Sequence, residues 1–373
     1  MNKSTIYLGR IFGIPIRLDY SWFLIFALIT WTLAASYFPL EFKGWPVAQY
    51  WIAGAVTAVL MFGCVLLHEL GHSIVAMRYK IPVRSITLFI FGGVAQIEGE
   101  PPSASAEFWI ALAGPVVSFA LALFFWLLQS MVKTLAPLLA VAEYLAYING
   151  TLALFNLIPG FPLDGGRVFR AIVWGLTHNF RRATLIAAYL GRFIAFLFIL
   201  LGVWQMFSGD ISDGLWIAFI GWFLDSAAAS QVHQQSIRDL FAGRHVSDAM
   251  RRDYTVVSPD ETLEKLVNEQ ILGRGKRGLI VEQNNKVVGL LTVHAVKAIP
   301  RSDWSTTTAA QVMIPTEKIK WVRSDEELWA AVEEMDHEGV NQLPVMKDDQ
   351  IQGMLSRDDV IGMMRNLNEF GRH

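Results

Sequence analysis

Long uncharged segments limit how this chain can fold. No charged residue lies between Gly44 and Leu67, and a helix of about 20 apolar residues crosses a bilayer. The 373-residue chain is 53% hydrophobic and only 17% charged, which is unusual for a soluble protein. The sequence therefore predicts a membrane protein.

Hydrophobicity is unevenly distributed along the chain. The long apolar runs lie in residues 1–231, whereas residues 246–365 are rich in charge and are typical of a soluble module. The net charge of −2 comes with no basic cluster, so we expect no nucleic-acid partner. The chain has one cysteine, which excludes an internal disulfide.

Six transmembrane helices are predicted, in contact with membrane lipid. They cover residues 21–40, 47–77, 108–132, 138–157, 187–207 and 211–231. These lengths fit a hydrocarbon core about 30 Å thick. Asp225 interrupts the sixth helix, and Arg192 near the same membrane face is a possible ion-pair partner.

Basic residues between the helices indicate orientation. One side of the membrane has Lys3, Arg10, Arg17, Arg78, Lys80, Arg84, Arg167, Arg170, Arg181 and Arg182, and the other has Lys43 and Lys133. Loops rich in lysine and arginine face the cytosol. We therefore expect a multi-pass protein of the cell membrane, with its N-terminus and its C-terminal module in the cytosol.

A metal-binding pattern ends the second predicted helix. Residues 68–72 read His-Glu-Leu-Gly-His. Positions i and i+4 share one helix face, so His68 and His72 can bind one ion while Glu69 projects beside it. Ionisable groups at membrane depth are costly and are functional by default. This pattern predicts a zinc-dependent hydrolase.

A third metal ligand is predicted at Asp164. It lies in the segment NLIPGFPLDGGR (156–167), at the cytosolic end of the fourth helix. Pro159 and Pro162 cannot continue a helix, so the chain should unwind there, and irregular backbone at this depth must be buried or line a cavity. A catalytic zinc usually has three protein ligands and one open position. Alternatively, Asp164 only caps the next helix.

These segments resemble a known family. HELGH (68–72) together with NLIPGFPLDGG (156–166) is similar to the site-2 protease family of intramembrane zinc metalloproteases. Further matching pieces are AGP (113–115), FGGVA (91–95) and LGRIFGIPIR (8–17), so that the resemblance covers about residues 1–230. Relatives often have asparagine where this chain has Ser118, and no role is assigned to Ser118.

The resemblance implies a function. One Zn²⁺ per chain would be bound by His68, His72 and Asp164, with Glu69 as general base. The implied reaction is cleavage of a transmembrane protein substrate within its helix, usually to release a membrane-held regulator. Asn156, about two turns before Asp164 if the helix continues, is a candidate oxyanion donor. It is equally a helix-packing amide.

Residues 83–97 (VRSITLFIFGGVAQI) predict a membrane-embedded β-hairpin. They are rich in β-branched and aromatic residues, and we expect Gly92-Gly93 to form the turn. A transmembrane helix must unwind before its peptide bonds can be attacked. The edge of this hairpin could accept the unwound substrate as an added strand. The alternative is a hairpin that only fills the helix bundle.

The soluble part contains a duplication. After a linker at 232–245, residues 246–300 and 307–365 share the pairs VSDAM/AQVM (246–250, 310–313) and VVGLLT/IQGMLS (287–292, 351–356). Each copy predicts a helix (261–270, 326–338) followed by a strand (278–281, 342–345). The pattern resembles tandem cystathionine-β-synthase (CBS) domains, which pair and often bind adenine nucleotides. A homodimer through this module is therefore possible.

The resemblance to CBS domains suggests one nucleotide site. A serine or threonine followed three residues later by aspartate commonly holds the ribose and phosphate of ATP, ADP or AMP. Ser356 and Asp359 have this spacing, whereas Thr292 and Ala295 do not. Alternatively, Asp359 only caps the last helix.

An enzyme is the leading functional hypothesis: an intramembrane zinc endopeptidase modulated by adenine nucleotide. A CBS-bearing transporter or channel would account for the helices and the module, but it would not explain HELGH combined with LDGG. A catalytically silent binder of transmembrane segments is a second alternative. The complete set of two histidines, glutamate and aspartate argues against it.

Overall fold

The computed structural model describes residues 5–132, 134–284, 286–347 and 350–370; Lys3 and Lys133 lie outside these ranges. The chain forms two compact units, Met1–Gln235 and Ser236–His373. The first unit combines long helices with one four-stranded sheet, and the second combines two small mixed sheets with helices. The predicted class, a polytopic helical protein followed by a soluble α/β module, is confirmed.

Six helical stretches within the described ranges are long and apolar enough to span a membrane. The first, Ser21–Glu41, consists of α1 (Ser21–Thr32), a π-helical turn (Leu33–Tyr37) and α2 (Phe38–Glu41). The others are α3 (Val47–Arg78), α4 (Ala104–Met131), α5 (Ala136–Asn156), α7 (Phe180–Phe207) and α8 (Ile211–Phe241).

Two of the predicted helix boundaries differ from those in the structure by more than four residues. Helix α7 begins at Phe180 rather than at 187, and α8 continues to Phe241 through much of the segment expected to be a linker. Both extensions are amphipathic, and an uncharged-run criterion misses them because they carry charges. Of the two possibilities for Arg192 and Asp225, an ion pair or separate solvation, the structure has the ion pair: Arg192 Nε donates to Asp225 Oδ1 at 2.8 Å.

Side-chain size decides which face of each membrane helix is buried. Large apolar residues such as Trp51, Phe124 and Phe196 are exposed, whereas small residues such as Ala58 and Ala111 are fully buried. Apolar exposure costs nothing in lipid, and small residues let helix backbones approach closely. The helices therefore pack through small residues and present large ones to the hydrocarbon.

The sheet of the first unit has the order β1-β2-β3-β4. Its strands are β1 (Thr5–Ile11), β2 (Ile14–Asp19), β3 (Val83–Phe89) and β4 (Gly92–Ile97). Strands β2 and β3 pair in parallel, and β3 and β4 form the predicted antiparallel hairpin. Because β2 covers the other side of β3, the free edge of this hairpin belongs to β4.

The turn of the hairpin was predicted incorrectly. Gly92 pairs with Phe89 and Gly93 with Leu88, so both glycines are strand residues and the turn is Ile90-Phe91. Gly92 has a φ of 122°, which only glycine adopts easily. Gly92 therefore allows the unusual backbone conformation at the start of β4.

Helix α6 (Asp164–Thr177) follows an irregular loop at residues 157–163, as the prolines predicted. Arg170 of α6 forms an ion pair with Glu107 of α4, which is fully buried. The guanidinium of Arg170 also lies 4.9 Å from the ring centre of Phe161 and 4.7 Å from that of Phe180. A buried charge needs such partners, and together they hold α6 in place against its neighbours.

The second unit contains two copies of one motif. Each copy has a short strand parallel to the first strand of an antiparallel hairpin: β5 beside the hairpin β6-β7, and β9 beside β10-β11. The elements are α9 (Val246–Ala249), β5 (Val256–Val257), α10 (Leu263–Leu266) with a π-helical turn (Val267–Leu272), β6 (Gly278–Gln283), β7 (Lys286–Thr292), α11 (Val293–Lys297), α12 (Ala309–Val312), β8 (Ile314–Pro315), β9 (Val322–Arg323), α13 (Leu328–Glu338), β10 (Gln342–Lys347), β11 (Gln350–Ser356) and α14 (Arg357–Phe370).

Candidate metal centre

Three side chains from two helices converge inside the first unit. His68 and His72 lie one turn apart on α3 and are both buried, and Asp164 is the first residue of α6. His68 Nε2 lies 3.2 Å from His72 Nε2, and each of these atoms lies 3.1 Å from Asp164 Oδ2. The structure thus brings together the three residues predicted to bind metal.

The chemistry of these three atoms fits a bound cation. The Ile110 carbonyl can only accept a hydrogen bond, so His72 Nδ1, 2.7 Å away, must carry a proton. Neutral His72 then directs the lone pair of Nε2 toward the other two atoms. A tetrahedral zinc ion with ligands at about 2.0–2.1 Å would place neighbouring ligand atoms about 3.3 Å apart. The observed separations are close to this value.

Asp164 contributes the third donor atom. Asp164 directs its Oδ2 atom toward the two histidines. The alternative prediction, that this residue only caps α6, does not account for that orientation.

Helix α4 orients the two histidines by contacting the Nδ1 atom of each ring. Ser118 Oγ lies 2.8 Å from His68 Nδ1, and the Ile110 carbonyl holds the corresponding nitrogen of His72. Such outer contacts set the orientation of metal-binding imidazoles. Sequence reasoning missed Ser118. The only signal was its position one helical turn after Gly114, on the same face of α4.

Gly114 makes the close approach of α4 to α3 possible. A Cβ atom at this position would overlap Nε2 of both His68 and His72. Only glycine therefore leaves the space where the three ligand atoms meet.

Glu69 points from α3 toward the edge of β4. Its Oε2 accepts a hydrogen bond from the Ala95 N–H at 3.2 Å. A Cβ atom at Gly93 would lie 2.6 Å from Glu69 Cγ, so the glycine makes room for this side chain. The carboxylate thus lies between the histidine pair and an exposed strand edge.

No continuous helix connects Asn156 to Asp164, contrary to the prediction. Helix α5 ends at Asn156, and the proline-containing loop separates it from α6. Asn156 is half-buried at the end of α5. Its role as oxyanion donor stays a prediction.

The predicted nucleotide residues lie at the start of α14. The Ser356 N–H donates to Asp359 Oδ2 at 3.1 Å, and the Asp359 N–H donates back to Ser356 Oγ at 3.2 Å. This reciprocal arrangement is a helix capping box, and Arg251 forms an ion pair with the other oxygen of Asp359. The capping role is therefore present, and the nucleotide role stays a prediction.

Comparison with known proteins identifies relatives of both parts. The sequence pattern of Peptidase family M50 matches residues 56–137 and 129–200, and that of the CBS domain matches residues 246–299 and 309–366. Zinc metalloprotease Rip3 of Mycobacterium tuberculosis is 36% identical over 337 residues, which cover 89% of this chain and 86% of Rip3. Zinc metalloprotease sll0528 of Synechocystis is 33% identical over 364 residues, covering 96% and 95% of the two chains. The solved structure of a site-2 protease from Methanocaldococcus jannaschii shares 30% identity, with a TM-score of 0.43 over 61% of this chain and 94% of that one.

The close packing at Gly114 generates a prediction. Gly114→Ala should abolish most zinc binding, because the added methyl group occupies the position of the ligand atoms. Gly63→Ala is the matched control, since a Cβ there meets open space on α3. Zinc per chain, measured on purified protein by mass spectrometry, should fall far below one for Gly114→Ala and stay unchanged for Gly63→Ala. Full zinc content in Gly114→Ala would contradict the geometry described here.

Proposed function

This chain belongs to peptidase family M50, the site-2 protease family, and is a zinc metalloprotease; we propose that it cleaves transmembrane helices of membrane-bound regulatory proteins. The observation that carries the proposal is the convergence of His68, His72 and Asp164 next to a carboxylate at a strand edge. Family membership argues against a transporter or channel. The intact set of site residues supports an active enzyme over a silent binder.

The proposed roles follow from the positions of the side chains. His68, His72 and Asp164 hold one zinc ion per chain, with Ser118 and Ile110 orienting the imidazoles. When bound, zinc is a Lewis acid that makes water nucleophilic near neutral pH. Glu69 accepts the proton of the attacking water and passes it to the leaving amine.

Asn156 is the proposed donor to the oxyanion that develops on the scissile carbonyl. It is half-buried at the end of α5, and its side chain makes no hydrogen bond with any described residue. Its amide is therefore available to a substrate. This assignment rests on position in the chain, because the loop that follows α5 leads directly to Asp164.

The free edge of β4 is the proposed binding site for the unwound substrate. The Glu98 N–H donates inward to the Pro82 carbonyl, whereas the Ala95 N–H points outward to Glu69. Alternate residues of a strand face opposite sides of the ladder, so the amides of Gly93 and Ile97 also point outward. A strand added here would pass beside the catalytic carboxylate.

Orientation in the membrane is a further part of the proposal. The described loops keep the excess of basic residues on the side that carries Lys80 and Arg84, with Lys43 on the opposite side. By the positive-inside rule the N-terminus and the CBS module are cytosolic. The protease site then receives its water and zinc from the cytosol.

We also propose that the CBS module binds an adenine nucleotide near Ser356 and Asp359 and thereby modulates cleavage. Support comes from the spacing of these residues and from Arg251, an exposed guanidinium that could meet a phosphate. Binding can shift activity only if the nucleotide has different affinities for two states of the protein. Pairing of two chains through this module stays a prediction.

Separate roles for base and ligand can be tested at two positions. Glu69→Gln should abolish cleavage and retain zinc, because the amide cannot accept a proton and the carboxylate is not a ligand. Asp164→Ala should lose both activity and zinc affinity, because it removes one of the three atoms proposed to bind zinc. Zinc content and cleavage of a transmembrane substrate are measured on the same preparations. Full zinc and turnover in Asp164→Ala would exclude it as a ligand.

Substrate binding to β4 predicts an effect of proline at position 97. Ile97→Pro removes an outward N–H without breaking the ladder to β3, whereas Ile97→Ala removes the side chain and keeps that N–H. Loss of one hydrogen bond should lower kcat/KM about threefold to tenfold more in the proline variant. Equal kcat/KM values for the two variants would count against strand addition.

Thiol labelling tests the orientation. In a Cys64→Ser background, Lys80→Cys should react with an impermeant reagent only in inverted vesicles, and Lys43→Cys only from outside the cell. Both positions are exposed, so accessibility reports the side of the membrane. The reverse pattern would place the protease site on the other face.

Calorimetry tests the nucleotide proposal on the full chain in detergent. ATP, ADP or AMP should bind, and Asp359→Ala should weaken binding about tenfold or more, since a charged hydrogen-bond partner is lost. Asp358→Ala is the control, because this neighbour is exposed and pairs with Arg277. No heat of binding at millimolar nucleotide would rule the proposal out, and the melting temperature of each variant shows the cost of the lost cap.

A further inference from the structure

A cavity of about 410 Å³ adjoins the candidate metal centre within the first unit. It shares two residues with that centre. Ala95, whose N–H binds Glu69, and Ile110, whose carbonyl binds His72, both line its wall. The rest of the wall comes from Ile81, from the end of β4 and residues 99–101 after it, and from α6, α7 and α8. A molecule bound to the strand edge is therefore next to this cavity.

The cavity presents guanidinium N–H donors that no described residue uses. Two arginines of α6 line it, and Arg170 is neutralised by the buried Glu107. The Arg167 guanidinium makes no hydrogen bond or ion pair with a described residue, although the carboxylates of Asp164, Glu107 and Glu69 attract it electrostatically. The remaining charged lining residue, Glu100, is exposed and has an interaction partner of its own. A guanidinium whose N–H donors are unused favours a carboxylate, which it can bind through two parallel hydrogen bonds.

Two neutral side chains extend the polar part of the wall. Gln231 and Gln234 of α8 line the cavity together with Arg167, and each amide can both donate and accept. Ile81, Ile97 and Phe180 provide apolar surface around them. The cavity therefore suits a short polar or acidic side chain on an otherwise apolar strand.

The distance along β4 limits where such a side chain would lie. The catalytic Glu69 contacts Ala95, whereas the cavity is lined further along by Ile97 and Gly99. A strand rises about 3.3 Å per residue. A substrate strand paired with β4 would thus reach the cavity two to four residues away from the scissile bond.

We propose that Arg167 and this cavity form a specificity subsite for a carboxylate of the substrate, two to four residues from the bond that is cleaved. This inference rests on the proposed function, because it requires a substrate strand on β4. An acidic substrate side chain is one source of the carboxylate. The new C-terminal carboxylate of a cleaved product that has shifted along β4 is the other.

The test uses a single-span protein that the wild-type chain cleaves. Aspartate and, as its neutral isostere, asparagine are placed in turn at the four positions on each side of the scissile bond. We expect kcat/KM for aspartate to exceed that for asparagine about tenfold at one or two positions, two to four residues from the bond. Arg167→Gln should remove this preference.

Controls separate charge from structure. Arg182→Gln makes the same change at an exposed arginine outside the cavity, and it should keep the preference for aspartate. Arg167→Glu should instead prefer lysine at the same substrate position, a reversal that a structural defect cannot produce. Zinc content equal to that of the wild type shows that each variant retains its site.

A second arm identifies the source of the carboxylate. Product peptides ending in a free carboxylate or in an amide are compared as inhibitors of the wild type and of Arg167→Gln. Stronger inhibition by the acid, lost in Arg167→Gln and without any aspartate preference in the scan, would assign the subsite to the product carboxylate. The subsite proposal would be overturned if the chain cleaves its substrate but shows no preference for aspartate over asparagine and no stronger inhibition by the product acid than by the amide. Failure of the wild type to cleave any transmembrane segment would count against the proposed function instead.

Discussion

Three electron-pair donors meet in the interior of a membrane domain, and this arrangement constrains the rest of the first unit. His68 Nε2, His72 Nε2 and Asp164 Oδ2 lie 3.1–3.2 Å apart, a geometry that requires a shared proton or a cation between them. Helix α3 supplies two donors at one-turn spacing, and α6 supplies the third. The close approach of α4 at Gly114 gives the three atoms their space.

The membrane setting explains why irregular backbone surrounds this site. In hydrocarbon, unpaired backbone groups are costly, so loops and strands occur at this depth only where protein or a cavity covers them. The loop at 157–163 satisfies this condition because Phe161 is buried against α7, and Gly165 and Gly166 at the start of α6 pack closely on the loop itself. The sheet satisfies it with four paired strands, and a free edge of β4 remains beside Glu69.

Charge on the α6 side of the site is largely compensated. The pair of Arg170 with Glu107, stacked between Phe161 and Phe180, holds α6 where Asp164 can reach the histidines. The guanidinium of Arg167, on the same helix, makes no hydrogen bond or ion pair with any residue that the structure describes. One arginine thus supports the fold, and the other is available to a ligand.

Sequence reasoning captured the parts of the structure that local patterns determine. Uncharged runs located the six membrane helices, i, i+4 spacing located His68 and His72, and the prolines before Asp164 located the break between α5 and α6. Local patterns could not predict contacts between segments that are far apart in the sequence. Ser118 is 50 positions from His68, and no local pattern marks a serine that faces a histidine on another helix.

The same limit applies to the hairpin and to the cavity. Glycine pairs are typical of turns, yet Gly92 and Gly93 serve a strand that packs closely on Glu69, a tertiary requirement. The cavity at Arg167 combines residues of five elements, so its charge balance is visible only once Glu107 is seen to neutralise Arg170. The start of α7 was missed because its first turn carries Arg181 and Arg182.

Zinc K-edge X-ray absorption of the purified chain is the most direct test of the central claim. The account predicts two imidazole nitrogens and one or two oxygens at about 2.0–2.1 Å, with no sulfur ligand. His68→Ala should remove the signal of one imidazole together with most of the metal. A sulfur shell at about 2.3 Å, which only Cys64 or a methionine could supply, or a shell made of oxygens alone, would contradict the assignment of His68, His72 and Asp164.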